Sequence, residues 1–225
     1  MLDFHAHVLP GADHGSDGMA TSLRQLALAE AAGIDTLVAT PHFYPQKDDV
    51  QRFLRKRRET REALLAEYQG PIRLLTGAEV HLCVGLDHLE ALEDLCVSGT
   101  RVLLCELPFR GYASGLTETL QRLMEERDLT PVLAHVDRYD PRLIETLFDL
   151  GLLGQLNAEG LCRPLRRRRY LPWIDRGHIV ALGSDIHGVD EGYTRYLRAA
   201  DFLGPRLETI ETRVRALLAE HPLDP

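Results

Sequence analysis

Leu2-Asp3-Phe4-His5-Ala6-His7, together with Ile179-Val180-Ala181-Leu182 and the Ser184-Asp185-Ile186-His187 that follows it, decides the fold. In both places a short β-prone run ends in polar residues two apart, His5/His7 and Asp185/His187. Side chains two apart on extended backbone project to the same side, so each pair can grip one site. Outward from these ends, similar runs recur at 36–39, 72–75, 102–105, 131–134 and 154–156. They are mostly apolar throughout, as parallel strands covered on both faces by helices are. Helical spacing separates them at Leu23/Leu26/Ala27, Leu86/Leu89/Leu92, Leu116/Leu120/Leu123 and Leu207/Ile210/Val214/Leu217. Asp140-Pro141 reads as N-cap and first residue of a further helix, with Leu143/Leu147 and Ile144/Phe148 as apolar pairs and Gly151 as its stop. Seven strands alternating with helices predict an α/β fold, a barrel-like arrangement in one domain over residues 1–225.

The 225 residues are 44% hydrophobic and 27% charged, enough to bury a sizeable core and inconsistent with disorder. A formal net charge of −8 argues against a nucleic-acid partner, since only the stretch 163–169 is locally basic. The four cysteines, Cys83, Cys96, Cys105 and Cys162, show no C-x-x-C spacing, so reduced thiols and a cytoplasmic location are expected. Neither a signal peptide nor a run of 18 apolar residues appears, so membrane insertion is not expected.

His5, His7, His42, Glu79, Glu106, His135, Asp185 and His187 all fall at or just past a predicted strand end, the face on which barrels place catalytic groups. His14 joins them from the loop 11–15. Imidazoles and carboxylates converging in a cleft strand unpaired charge unless cations neutralise them. Nitrogen and oxygen donors without cysteine point to Mn²⁺, Fe or Zn²⁺ and away from a structural zinc site. There are too many donors for one ion and enough for two or three. By alternation Cys105 faces away from Glu106 and packs.

Asp3-Phe4-His5-Ala6-His7, Ala39-Thr40-Pro41-His42, Gly77-Ala78-Glu79-Val80, Ala134-His135-Val136-Asp137-Arg138-Tyr139, Gln155-Leu156-Asn157-Ala158 and Ser184-Asp185-Ile186-His187 resemble, in order, the motifs of the PHP (polymerase and histidinol phosphatase) superfamily. Within it they most resemble the tyrosine-protein phosphatases of bacterial capsule biosynthesis. The resemblance implies a distorted (β/α)7 barrel, similar to a TIM barrel, with three divalent ions, Mn²⁺ first and Fe or Zn²⁺ as alternatives. It implies His5, His7, Glu79 and Asp185 on one ion, Glu79 bridging to a second that Glu106 and His135 complete, and His14, His42 and His187 on a third. That branch usually has Asp where this chain has His14, and an Arg-Pro-Pro after Ser-Asp-x-His where this chain has Val189-Asp190-Glu191-Gly192-Tyr193. The phosphate clamp is therefore expected to be Arg138, alone or with Arg110, Arg195 or the arginine-rich stretch.

The expected activity is that of a metal-dependent phosphomonoesterase, with a metal-activated water as nucleophile and Asp13 or His14 near enough to move a proton. Phosphotyrosine on a protein, a tyrosine kinase tail among the candidates, is the favoured substrate. A small ester such as histidinol phosphate and a non-catalytic metal-binding regulatory module are the alternatives, and homo-oligomerisation stays open. Cys162 to Arg168 matches the C-x5-R spacing of thiol phosphatases but lacks their glycines, and is read as coincidence. Arg163, Arg166, Arg167, Arg168 and Arg169 form either a solvated face or a dock for an acidic partner. His81, His88, His178 and His221 are expected at the surface, Tyr170 and Trp173 in packing, and Asn157 as a turn former or a hydrogen-bond donor behind the ligands.

Overall fold

The computed structural model describes residues 1–109, 111–189 and 191–220. Its first half runs β1 (Leu2–His7), α1 (Met19–Ala31), β2 (Thr36–Ala39), β3 (His42–Phe43), α2 (Val50–Glu67), β4 (Arg73–Thr76), β5 (Glu79–His81) and β6 (Val102–Glu106). The second half follows with α3 (Ser114–Glu125), β7 (Thr130–Leu133), α4 (Pro141–Asp149), β8 (Leu153–Asn157), α5 (Ala158–Leu161), α6 (Pro164–Arg167), α7 (Leu171–Asp175), β9 (Ile179–Gly183), β10 (Ile186–His187), α8 (Gly192–Leu203) and α9 (Pro205–Glu220).

The seven expected strands are present, six of them within a residue at each end, while β1 runs on past Phe4 through His7. The short β3, β5 and β10 are additional, and each carries at least one of the predicted ligands. Helix α4 starts as its sequence predicts, with the Asp140 carboxylate accepting from Arg142 N at 2.8 Å and Pro141 in the first turn. The stripe Leu86/Leu89/Leu92 does not make an α-helix. Ala91 adopts φ 55°, and the segment splits into two 3-10 turns over 86–88 and 92–95. Besides the short α5, α6 and α7, two longer helices lack a clear aliphatic stripe: α2 buries only Leu64, and α8 packs through Tyr193, Tyr196, Ala199 and Leu203.

All strand pairs are parallel, in two sheets ordered β10-β1-β2-β4 and β3-β5-β6-β7-β8-β9. The sheets curl into a distorted barrel whose seams are joined by other means. On one side, Asp3 accepts from Ser184 N (2.8 Å) and Ser184 Oγ (2.6 Å), and Asp185 N donates to the His5 carbonyl (2.8 Å). On the other, Ser98 N donates to the Thr76 carbonyl (2.7 Å) and Val97 N to that of Val102 (2.9 Å). Leu2, Phe4, Val38, Val102, Leu104, Val132 and Val180 form a buried cluster that shares the Glu106 face of β6 and so lies beneath the site. Leu103 and Cys105 face the larger core under the helices, as alternation requires. The register of β1 shifts between Asp3 and Ala6, which lets Leu2 and Phe4 fill the barrel while His5 and His7 also point inward. No described helix is long and apolar enough to cross a membrane.

Candidate metal centre

The site is built on β1. His5 Nδ1 lies 3.2 Å from Gln155 Oε1. That oxygen also accepts from His135 N (2.7 Å), while Gln155 Nε2 donates to the Leu156 carbonyl (2.6 Å) and to Asn157 Oδ1 (2.8 Å). Backbone partners thus fix which end of the amide faces His5, and His5 must carry its proton on Nδ1. His7 Nδ1 donates to Asp13 Oδ2 at 2.7 Å. Both Nε2 atoms are left with lone pairs, 3.1 Å apart, each 3.3 Å from Glu79 Oε2 and 3.4 to 3.5 Å from Asp185 Oδ1.

Four electron-rich atoms facing one another in a buried site repel unless a cation lies among them. Protonation shows the same demand. Burial pushes both imidazoles down, yet the Glu79 and Asp185 charges beside His5, and the Asp13, Asp185 and Glu79 carboxylates around His7, raise their affinity for protons overall. Glu79 is driven well below the carboxylate range by His5 and its other imidazole neighbours, although burial opposes this.

Glu79 Oε1 lies 2.8 Å from His135 Nε2, which is 3.6 Å from Glu106 Oε1. His42 Nδ1 approaches Glu79 Oε2 to 2.8 Å outside hydrogen-bond geometry. Glu79 Oε2, both His42 nitrogens, His135 Nδ1 and His187 Nε2 are buried without hydrogen-bond partners. Such orphaned atoms, all on metal-ligating residue types, fit bound ions. The rings of His14, His42 and His187 lie with centroids 4.7 to 5.8 Å apart, but the donor atoms of His42 and His187 that come within 4.8 Å of a third donor do so with His7. His14 is exposed at the rim. His187 keeps a free Nε2 because its Nδ1 bonds the Asp185 carbonyl at 3.0 Å; burial, then the neighbouring His7, lowers it to about 4.

Above these groups opens a cleft of about 470 Å³ walled by Tyr44, His81, Phe109, Arg138 and Arg195. Arg138 sits in the 3-10 turn after β7 and binds Asp185 Oδ2, which also accepts from Asn157 Nδ2 at 2.9 Å. Asn157 is therefore a donor behind the ligands rather than a turn former. Phe109 is 64% exposed and lies nearly parallel to the His135 ring, 6.2 Å away. Arg110 lies outside the described residues, as does His221.

Some expectations need correction. Asp13 is not on the cleft wall. Its carboxylate accepts from His7, from His42 N (3.0 Å) and from Gly15 N (2.9 Å), and these bonds overcome burial to hold it far below its ordinary pKa. A carboxylate so held has no proton to give, so Asp13 orients His7. His81 is not a surface residue; it lines the cleft, 3.2 Å from Glu106. His178 stacks on Phe148 at 4.7 Å, whereas His88 is exposed as expected. Tyr170 and Trp173 are buried in packing. Cys162 directs its thiol to the Arg195 carbonyl, and burial raises its pKa despite nearby arginines, the opposite of an activated nucleophile. Gln155 stands in one of the quoted motifs, two residues before Asn157 at a strand end like the ligand pairs, but its role in orienting His5 has no sequence signal of its own. The sequence reading passed over Phe109 and Tyr44, for which the sequence carries no signal.

Residues 1–218 match the family model for capsular polysaccharide synthesis proteins CpsB/CapC. The chain is a member of the CpsB/CapC family. A CpsB/CapC relative, the tyrosine-protein phosphatase CpsB of Streptococcus pneumoniae, is 26% identical over 232 residues, covering 92% of this chain and 90% of that protein. A solved structure from work on YwqE of Bacillus subtilis and CpsB of Streptococcus pneumoniae, metal-dependent tyrosine phosphatases, superposes with a TM-score of 0.81 at 22% identity, covering 100% of this chain and 96% of that one. The histidinol phosphate phosphatase of Lactococcus lactis, solved with zinc, L-histidinol and phosphate, is similar at a TM-score of 0.58 and 13% identity, over 90% of this chain and 93% of that one. The CpsB/CapC barrel is thus shared with more distant phosphatases.

Proposed function

We propose that this CpsB/CapC protein is a metal-dependent phosphomonoesterase acting on phosphotyrosine in proteins, and that residues 1–225 form its single catalytic domain. The observation that carries the reading is the buried, mutually repelling set of His5 Nε2, His7 Nε2, Glu79 Oε2 and Asp185 Oδ1 at the foot of a cleft that also presents Arg138 and an exposed Phe109. The tyrosine phosphatase activity of its relatives supports it.

We assign His5, His7, Glu79 and Asp185 to one ion, Glu79, Glu106 and His135 to a second, and His14, His42 and His187 to a third, with Mn²⁺ preferred over Fe or Zn²⁺. Divalent ions there would supply Lewis-acid charge and an acidified water. Arg138, anchored by Asp185, would offer its remaining N–H groups to phosphoryl oxygens, with Arg195 also on the cleft wall. Phe109 and Tyr44 offer faces to an aromatic ring, which a small aliphatic ester would not use. With Asp13 unable to donate, a phenol of pKa about 10 is also a better leaving group than an alkyl alcohol. A cytoplasmic setting, with a phosphorylated kinase tail as one candidate substrate, completes the proposal.

The test is a phosphatase screen with Mn²⁺ against a phosphotyrosine peptide, a phosphoserine peptide, histidinol phosphate and phenyl phosphate, with elemental analysis of the purified protein. Hydrolysis of both aryl esters and more than one divalent ion per chain are expected. Preference for histidinol phosphate would move the assignment to small esters. No metal and no activity would leave only a binding module.

A further inference from the structure

The arginine-rich stretch is not one surface. The Arg167 guanidinium stacks 4.2 Å from the Phe202 ring and so ties α6 to α8, while the exposed Arg169 lies 5.0 Å from the ring of its neighbour Tyr170; neither faces the cleft. Arg163 and Arg166 instead line a separate cavity of about 210 Å³ with Asp137, Arg138, Glu159 and Tyr170. Arg138 and Glu159 also belong to the wall of the main cleft, so the two cavities adjoin.

We propose that this side cavity is a subsite for an anionic side chain flanking the phosphotyrosine of the substrate peptide. The proposal rests on the phosphatase reading above and names the peptide class that site prefers. Three guanidinium groups line the cavity against two carboxylates, in a protein whose net charge is −8. Asp137 is already engaged: its Oδ1 accepts from Asn157 N at 2.9 Å and its Oδ2 packs against Gly160.

Glu159 holds Arg163 at 2.8 Å and lies 4.0 Å from Arg195. The Glu159–Arg163 pair is about half exposed on both sides, so little is lost when another anion takes over Arg163. Glu159 thus occupies the place of the incoming group when no peptide is bound. The chemistry suits either an aspartate or glutamate carboxylate or a second tyrosine phosphate on the same peptide, because guanidinium forks both.

The test uses the metal-loaded protein with three phosphotyrosine peptides, having neutral flanks, acidic flanks, or a second phosphotyrosine. Hydrolysis and binding by fluorescence anisotropy are measured in parallel. At low salt the acidic and doubly phosphorylated peptides should be preferred by about fivefold, through KM rather than kcat, and the preference should fade at high salt. Replacing both residues, Arg163→Ala with Arg166→Ala, should bring the ratio to about one; Arg167→Ala with Arg169→Ala should keep it. Arg138→Ala, which removes a group shared by the main cleft and the side cavity, should slow hydrolysis of all three peptides by roughly 10² to 10³. The relative size of the acidic and doubly phosphorylated effects identifies the favoured anion. Equal binding of all three peptides by the wild type, or a preference that survives loss of Arg163 and Arg166, overturns the subsite. A binding preference without turnover of any peptide overturns the phosphatase reading and leaves the subsite standing.

Discussion

At the scale of single residues, the site depends on tautomers set from behind. Gln155 gives His5 its proton position and Asp13 does the same for His7, so both Nε2 lone pairs face the carboxylates. Gln155 also receives the His135 N–H, and so fixes groups on two strands at once. His135 and Asp185 adopt φ 33° and 51°, left-handed backbone that costs roughly 1 to 2 kcal/mol for a residue other than glycine. Asp185 is held in it by Arg138, Asn157 and its own N–H to His5. Replacing Gln155→Leu should therefore weaken metal affinity by about 10- to 100-fold, as loss of an orienting partner typically does. Titration with Mn²⁺ checks this, and the urea midpoint in chelator reports separately on the fold. Unchanged affinity would mean that β1 alone orients His5.

At the scale of elements, the segment that fails to become a helix is tied down electrostatically. Asp87, in the first of its 3-10 turns, accepts from Arg122 Nε of α3 at 2.6 Å, and Arg127 donates to the Asp87 carbonyl at 2.6 Å. The Arg122 hydrogen bond lowers the Asp87 pKa against a smaller effect of burial. A carboxyl whose folded value lies below its unfolded value of about 3.9 adds stability above that pH, and loses it as pH falls through the folded value. Asp87→Asn should thus be less stable by about 1 kcal/mol from pH 5 to 8, the order of one such partly exposed pair. The difference should shrink below pH 4. Denaturant melts across that range measure it, and a difference that persists undiminished to pH 2 would assign the effect to packing.

At the scale of the whole molecule, closure of the barrel and assembly of the site are the same event. The ligands on β1 meet Asp185 because β1 pairs with β10 just after it and lies against β9 without a ladder, joined there through Asp3, Ser184 and Tyr193 OH, which reaches Asp3 at 2.9 Å. Gly183 makes that approach possible: a Cβ there would stand 2.6 Å from His5 Cβ and 2.7 Å from Gln155 Nε2. Neither neighbour can retreat without moving a ligand. Gly183→Ala should cost about 1 to 3 kcal/mol, the usual range for overpacking, and should lower metal content together with stability. Unfolding and elemental analysis of the one variant test both. Full stability with normal metal content would show that the seam relaxes.

The sequence by itself determined the seven main strands, though not the short β3, β5 and β10, and which residues of metal-ligating type fall at their ends, because apolar runs and spacing of two are local properties that survive any packing. It also determined the family resemblance, and with it the barrel. It did not reveal α2 or α8, whose helicity depends on charged and aromatic faces rather than an aliphatic stripe, nor the break at Ala91. Only the tertiary structure decided that Asp13 stands behind His7, that His81 belongs to the cleft, and that Arg163 and Arg166 line a cavity while Arg167 packs on Phe202. Those assignments depend on which side chains from distant strands occupy the same few ångströms, and hydrogen bonds such as Gln155 to His5 span 150 residues of chain.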